Sequence, residues 1–189
     1  MQNIEHRIKN KVLRLACVIV VAGSLFLTSC VPKNEKLPIF GQREVVGTDT
    51  VYHTIAPFSF VDQDSAEITN ATFKDKIYVA DFFFTTCEGI CPKMSNQMQR
   101  VAEQFKGTEK VHFLSHTVKP GEDSVSVLKA YATLHEADSK QWHFVTGDKK
   151  DIYEMARKSY LSAASEGDGG PDDFVHTQFF TLIDPERRI

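Results

Sequence analysis

The fold of this chain is decided around Asp81-Phe82-Phe83-Phe84-Thr85-Thr86-Cys87-Glu88-Gly89-Ile90-Cys91-Pro92, where an apolar strand pattern gives way to two cysteines and a proline. Residues 77–84 are apolar except for Asp81, and their β-branched and aromatic content predicts a buried central strand. Proline suits the first turn of a helix, so the pattern predicts a helix from Pro92 to about Phe105.

Further strands and helices alternate on both sides of this stretch. A hairpin is predicted from 58–61 and 67–69, which flank a turn-like segment. The remaining predicted strands are 111–118, 142–145 and 178–183, and the remaining predicted helices follow Pro120 and span 148–160. Such alternation predicts an α/β fold with a mainly parallel sheet.

The N-terminus has the pattern of an export signal. Four basic residues precede residues 15–27, a stretch of 13 residues that is almost wholly apolar. It is too short for a helix that crosses a bilayer, since that needs roughly 20 residues. Leu27-Thr28-Ser29-Cys30 resembles a bacterial lipobox, so Cys30 is the expected lipidation site. The alternatives are a plain signal peptide and a short uncleaved anchor.

These patterns divide the chain into a signal peptide at 1–29, a lipidated cysteine with its tether at 30–50, and a folded domain at 51–189. The expected location is the cell envelope, with the domain lipid-anchored on the extracytoplasmic (periplasmic) side of a membrane. Cleavage before Cys30 leaves 18 basic and 24 acidic residues, a net charge of −6. That balance argues against nucleic acid as a partner.

The C-terminal part carries a loop pattern and an incomplete hairpin pattern. Residues 165–173 are rich in glycine and acids, which predicts a loop, and His176 follows it. Asp184-Pro185-Glu186-Arg187 predicts a turn, and Arg188-Ile189 looks like the start of a returning strand. We therefore expect the natural domain to continue past Ile189.

Cys87 and Cys91 are the two thiols left for chemistry, because Cys17 lies in the signal and Cys30 is assigned to lipid. Their position at a helix N-terminus, with Cys91 expected at or near the N-cap, favours the thiolate form of both. Three residues separate them, so the pair can either close a disulfide or hold a soft metal ion. With no other cysteine available, a closed Cys₄ or Cys₃His zinc site is excluded.

A third metal ligand would be a histidine, a methionine or a carboxylate. The chain after the signal contains His53, His112, His116, His135, His143 and His176. His176 differs from the others because it lies between the acidic loop and a predicted strand, where a loop movement could bring it to the cysteines. Two thiolates and one imidazole would suit copper.

Two motifs together resemble one family. Thr85-Thr86-Cys87-Glu88-Gly89-Ile90-Cys91-Pro92 is similar to the CxxxCP motif of the Sco/SenC family, copper-binding proteins of cytochrome c oxidase assembly. Phe174-Val175-His176-Thr177, with the strand that follows it, resembles the family's histidine segment. The chain departs from the family at Lys119, often an aspartate, and at Glu88, often a proline, and neither change removes a ligand.

The resemblance implies a thioredoxin-like fold with an added N-terminal β-hairpin, and a strand and a helix that normally follow the position of Ile189. It also implies Cys87, Cys91 and His176 as copper ligands. The implied function is a membrane-anchored metallochaperone that delivers copper to a cytochrome c oxidase copper site, or another acceptor, and reduces the cysteines there with the help of a thiol reductant. The alternative is a thiol–disulfide oxidoreductase of the cell envelope that uses Cys87 and Cys91 as its redox pair. A general thioredoxin, a peroxidase and a purely structural disulfide are weaker alternatives.

Overall fold

The computed structural model describes residues 36–162 and 178–189, and the described residues from Ile39 onward belong to one compact unit. The strands are β1 (Arg43–Val46), β2 (Asp49–Tyr52), β3 (Ser59–Asp62), β4 (Glu67–Thr69), β5 (Ile77–Phe83), β6 (Val111–Thr117), β7 (Trp142–Thr146) and β8 (Thr181–Ile183). The α-helices are α1 (Cys91–Gln104), α2 (Val125–Leu134) and α3 (Lys149–Glu154). A 3₁₀ turn follows β4, and a π-helical segment, Met155–Ser159, continues α3.

Six of the strands form one mixed sheet in the order β4-β3-β7-β6-β5-β8. The pairs β5–β6 and β6–β7 are parallel, whereas β3–β4, β3–β7 and β5–β8 are antiparallel. The expectation of a mainly parallel sheet was therefore wrong, although the α/β class is confirmed. A parallel pair needs a crossover connection, and α1 and α2 supply one each for the central strands.

Two apolar clusters cover the two faces of this sheet. Phe113 and Leu114 are consecutive in β6, so their side chains point to opposite faces. Phe113 belongs to the cluster that includes Cys91 of α1 and Leu128 of α2, while Leu114 belongs to the other cluster, which includes Tyr160. Cys91 is thus part of the core on the face covered by α1 and α2.

The predicted hairpin at 58–69 is confirmed as β3–β4, and it extends the edge of the main sheet. A second hairpin, β1–β2, was not predicted, and it includes residues 43–50 of the segment expected to be a tether. Its side chains are exposed, among them Val45 and Val51. No clear strand pattern marks these residues, because neither strand has a buried face.

The predicted turn near the C-terminus is also present. The N–H of Arg187 donates to the carbonyl of Asp184 at 2.9 Å, and the N–H of Asp184 donates to Arg188 at 2.9 Å. The returning residues contact the start of the unit, since Phe40 N–H donates to the Ile189 carbonyl at 2.7 Å. Within the described residues, no helix has the length and apolar character needed to cross a membrane.

Candidate metal centre

The two cysteines lie where the central strand β5 passes into α1. Cys87 is in the connecting loop, and Cys91 is the first residue of the helix. The N-cap is Ile90, with φ −82° and ψ −32°, so Cys91 directly follows the cap, in agreement with its expected position at or near it. Pro92 still lies in the first helical turn, where its missing N–H costs no hydrogen bond.

The environment of Cys87 favours its thiolate. Burial acts to raise the pKa of Cys87, but hydrogen bonds from the Cys91 thiol and from the backbone N–H groups of Cys91, Gly89 and Ile90 outweigh it and lower that pKa. These donors are the free N–H groups of the helix start. For Cys87 the structure therefore agrees with the prediction of a stabilised thiolate.

Cys91 behaves in the opposite way. Its side chain is buried, and both cysteines are free thiols. Burial raises the pKa of Cys91, and its hydrogen bond to Cys87 and the nearby charge of Asp81 raise it further. The prediction that both cysteines favour the thiolate was thus wrong for Cys91, because the helix start lies inside the apolar cluster.

Asp81 is a buried carboxyl close to this pair that sequence analysis did not assign to the site. One of its oxygens has no hydrogen-bond partner among the described residues. Burial raises the pKa of Asp81 to about 7, although a hydrogen bond from Ser115 partly opposes this. The sequence feature that could have indicated Asp81 is its position as the one charged residue among the apolar residues 77–84.

The described residues do not supply a third ligand next to the two thiols. No three side chains of His, Cys, Asp or Glu within residues 36–162 and 178–189 are grouped closely enough to hold a metal ion. His116, for example, is fully buried and stacks on Phe82 with ring centroids 4.9 Å apart. His176 and Cys30 both lie outside the described residues.

The donor set nevertheless fits a soft ion. Two thiols that are hydrogen-bonded to each other after the end of β5 can offer two sulfurs to one cation, and sulfur is the ligand that Cu(I) and Zn(II) prefer. The loop between them includes Gly89, whose backbone N–H is one of the donors to the Cys87 sulfur. The backbone of this loop therefore supports the sulfur directly.

Comparison with known proteins decides the family. The SCO1/SenC family model matches residues 47–189, which is most of the chain and contains the whole site. This chain belongs to the SCO1/SenC family. It is 28% identical over 172 residues to the SCO1 protein homolog of Bacillus subtilis (strain 168), covering 90% of this chain and 83% of that protein.

Solved Sco structures agree with this assignment. BsSco, described as a member of the Sco family of cytochrome c oxidase assembly proteins with a disulfide switch, is 30% identical, with a TM-score of 0.61 over 72% of this chain and 80% of its own. A SCO1/SenC family lipoprotein from Bacillus anthracis str. Ames is 29% identical, with a TM-score of 0.63 over 72% of this chain and 81% of its own.

These likenesses confirm the thioredoxin-like fold that the resemblance implied. Three other Sco proteins, each 24% identical to this chain, have been solved with copper bound. Their likeness to this chain shows the shared fold.

Proposed function

We propose that this chain is a membrane-anchored copper carrier that delivers copper to a cytochrome c oxidase copper site and can reduce the cysteines of that site. The observation that carries the proposal is the pair of free thiols, Cys87 and Cys91, hydrogen-bonded to each other at the end of the central strand. Support comes from the family, whose member BsSco is described as belonging to a group of cytochrome c oxidase assembly proteins and whose members include copper-bound structures.

Cys87, Cys91 and His176 are the proposed copper ligands. Cys87 is half-buried and favours the thiolate, so it would be the first sulfur that an incoming ion or acceptor meets. Cys91 holds its proton more tightly, so copper uptake would release that proton. An imidazole as third ligand would help to retain Cu(II) beside the two sulfurs.

The proposed location follows from the export signal and from the family. Lipid on Cys30 would hold the chain at a membrane with the domain on the extracytoplasmic side, and two or more acyl chains are needed for stable attachment. A related SCO1/SenC protein, from Bacillus anthracis, is described as a lipoprotein.

Copper titration of the reduced full-length chain tests the proposal. We expect one copper ion per chain, and we expect His176→Ala to weaken Cu(II) binding more than Cu(I) binding. The affinity for Cu(II) should fall at least as far as when a side chain that hydrogen-bonds to a metal ligand is removed, which costs roughly 10–100-fold. Competition with chromophoric chelators for each oxidation state gives the two affinities.

His53→Ala is the matched control, since it also removes an imidazole. His53 is hydrogen-bonded to the Ser159 carbonyl at 2.7 Å. The His53→Ala variant should bind Cu(I) and Cu(II) with the affinities of the wild type. A wild-type chain that binds no copper with both thiols reduced would contradict the proposal.

A second function is favoured by the difference between the two thiols. A half-buried sulfur with a lowered pKa beside a buried sulfur with a raised pKa suits thiol–disulfide exchange. The Cys87 thiolate would attack a substrate disulfide to form a mixed disulfide. Cys91 would then displace the substrate, which leaves as two thiols while Cys87 and Cys91 form a disulfide that an external thiol reductant must reopen.

Rapid reduction of insulin disulfides, together with unchanged copper binding by His176→Ala, would favour this enzyme function over the copper carrier.

A further inference from the structure

Asp123 is a buried carboxylate that lies beneath the loop carrying Cys87. Only 1% of this residue is exposed. Its oxygens accept hydrogen bonds from the Thr85 backbone N–H at 3.2 Å, from the Thr85 hydroxyl at 2.5 Å and from the Thr117 hydroxyl. Hydrogen bonds to a charged acceptor are stronger than neutral ones, and a buried carboxylate needs them to offset its desolvation.

These bonds connect the ends of two parallel strands. Thr117 ends β6 and is the register partner of Phe83, which ends β5, and Thr85 follows two residues later. A second contact reinforces the connection, because the Thr86 hydroxyl donates to Glu122, the residue before Asp123, at 3.4 Å. The two residues that lead into Cys87 are therefore both tied to the segment before α2.

The two sulfurs depend on different parts of the fold. Cys91 is fixed by α1, whereas Cys87 is placed by the loop that starts at Thr85. The N–H of Cys87 closes a turn on the Phe84 carbonyl at 3.2 Å, so the direction of that turn follows from how Thr85 is held. On the other side of Cys87 lies Gly89, a residue with few conformational limits.

We propose that Asp123 is a positioning residue for the thiol pair: by holding Thr85 through both its backbone and its side chain, it keeps the Cys87 sulfur within reach of Cys91. The inference rests on the proposed function in taking this pair as the working site. A fixed separation raises the effective concentration of one thiol toward the other, which favours disulfide closure and two-sulfur ligation alike.

The test measures the reduction potential of the pair in the purified full-length chain, equilibrated in glutathione buffers. Asp123→Asn keeps the size of the side chain but removes its negative charge and one accepting oxygen, so the hydrogen bonds that hold Thr85 become weaker. We expect the equilibrium constant for disulfide formation to fall about tenfold, which corresponds to about 30 mV.

Two substitutions at Thr85 test the positioning role of Asp123 if Asp123→Asn does not fold. Thr85→Val removes the hydroxyl and keeps the shape, and it should lower the equilibrium constant severalfold. Thr85→Ser keeps the hydroxyl and should restore the wild-type potential.

Asp62→Asn is the matched control for loss of a buried carboxylate. Asp62 is 2% exposed and accepts hydrogen bonds from the N–H groups of Asp64 and Ala66 in the β3–β4 turn. This control should reduce thermal stability and leave the potential unchanged.

Wild-type potentials in both Asp123→Asn and Thr85→Val, or an equal shift in Asp62→Asn, would overturn the inference. The assay contains no copper, so a wild-type chain that fails to bind copper would refute the proposed function without deciding this result.

Discussion

Burial separates the chemistry of the two cysteines, although only three residues lie between them. Cys91 packs in the cluster with Phe83 and Met98, and Cys87 lies at the margin of that cluster. Because removing a thiol proton inside an apolar cluster is costly, Cys87 carries the accessible negative charge of the pair. A reaction partner that approaches the pair would therefore meet the Cys87 sulfur first. Cys91 would then supply the second sulfur.

Asp81 allows a test of the electrostatics beneath the pair. Burial raises the pKa of Asp81 to about 7 in the folded chain, whereas the ordinary pKa of an aspartate is 3.8. Between those two pH values the folded state binds more protons than the unfolded state, so this group lowers the free energy of unfolding as the pH rises. Asp81→Asn cannot titrate, and its stability relative to the wild type should increase from pH 5 to pH 8 by about 2–3 kcal/mol.

Urea denaturation of both proteins at pH 5, 6, 7 and 8 measures this difference. Burial lowers the pKa of His116 to about 3, which gives a slope of opposite sign below pH 6.5. That contribution is common to both proteins and cancels in the difference. Parallel stability curves would show that Asp81 is not protonated in the folded chain.

The spacing of the cysteines and the proline was enough to predict where the thiol pair lies. The unequal pKa values were not predictable in this way, because they depend on packing against residues far along the chain, such as Trp142 and Leu128. The role proposed for Asp123 was not predictable for the same reason, because its partner Thr85 is 38 residues away along the chain.

At the scale of elements, the central strands and the helices between them were predictable because their apolar patterns are local. The direction of β8 was not, since β8 is a three-residue strand and its antiparallel pairing with β5 is set by the path of the chain around the sheet. The π-helical end of α3 was hidden for a similar reason, as its sequence reads as an ordinary helix.

Gly147 connects β7 to α3 at a tight point in the packing. A Cβ atom there would lie 2.7 Å from Cδ1 of Phe60, a buried ring in β3. Gly147→Ala should therefore displace that ring and lower the free energy of unfolding by about 1–3 kcal/mol. Chemical denaturation with an unchanged m-value gives the measurement.

Gly121→Ala is the control, because a Cβ at Gly121 would meet no atom within 4 Å. Its free energy of unfolding should stay within about 0.5 kcal/mol of the wild type. Equal stabilities for the two alanine variants would mean that Phe60 moves aside without cost.

At the scale of the whole described unit, stability should be uneven. The β1–β2 hairpin has exposed side chains on nearly every residue, whereas β5 and β6 are paired on both edges and buried on both faces. A two-stranded hairpin with no buried face is marginally stable in water. The hairpin should therefore open far more often than the sheet.

Native-state hydrogen exchange measures this difference directly. We expect the amides of β1 and β2 to exchange first and those of Val79–Phe83 last, at the rate of global unfolding. The amide of Ile55, which donates to the Arg187 carbonyl at 2.8 Å, is the internal control and should exchange slowly despite its place just after the hairpin. Equal protection in the hairpin and in β5 would contradict this expectation.

The placing of the histidines has a consequence for metal selectivity. Four imidazoles, those of His112, His116, His135 and His143, are each at most 7% exposed and in contact with aromatic rings. Because so little of each ring is exposed, a metal ion in the surrounding medium has poor access to these four imidazoles. Within the described residues, burial thus reduces the number of histidines that could compete with the two sulfurs for a metal ion.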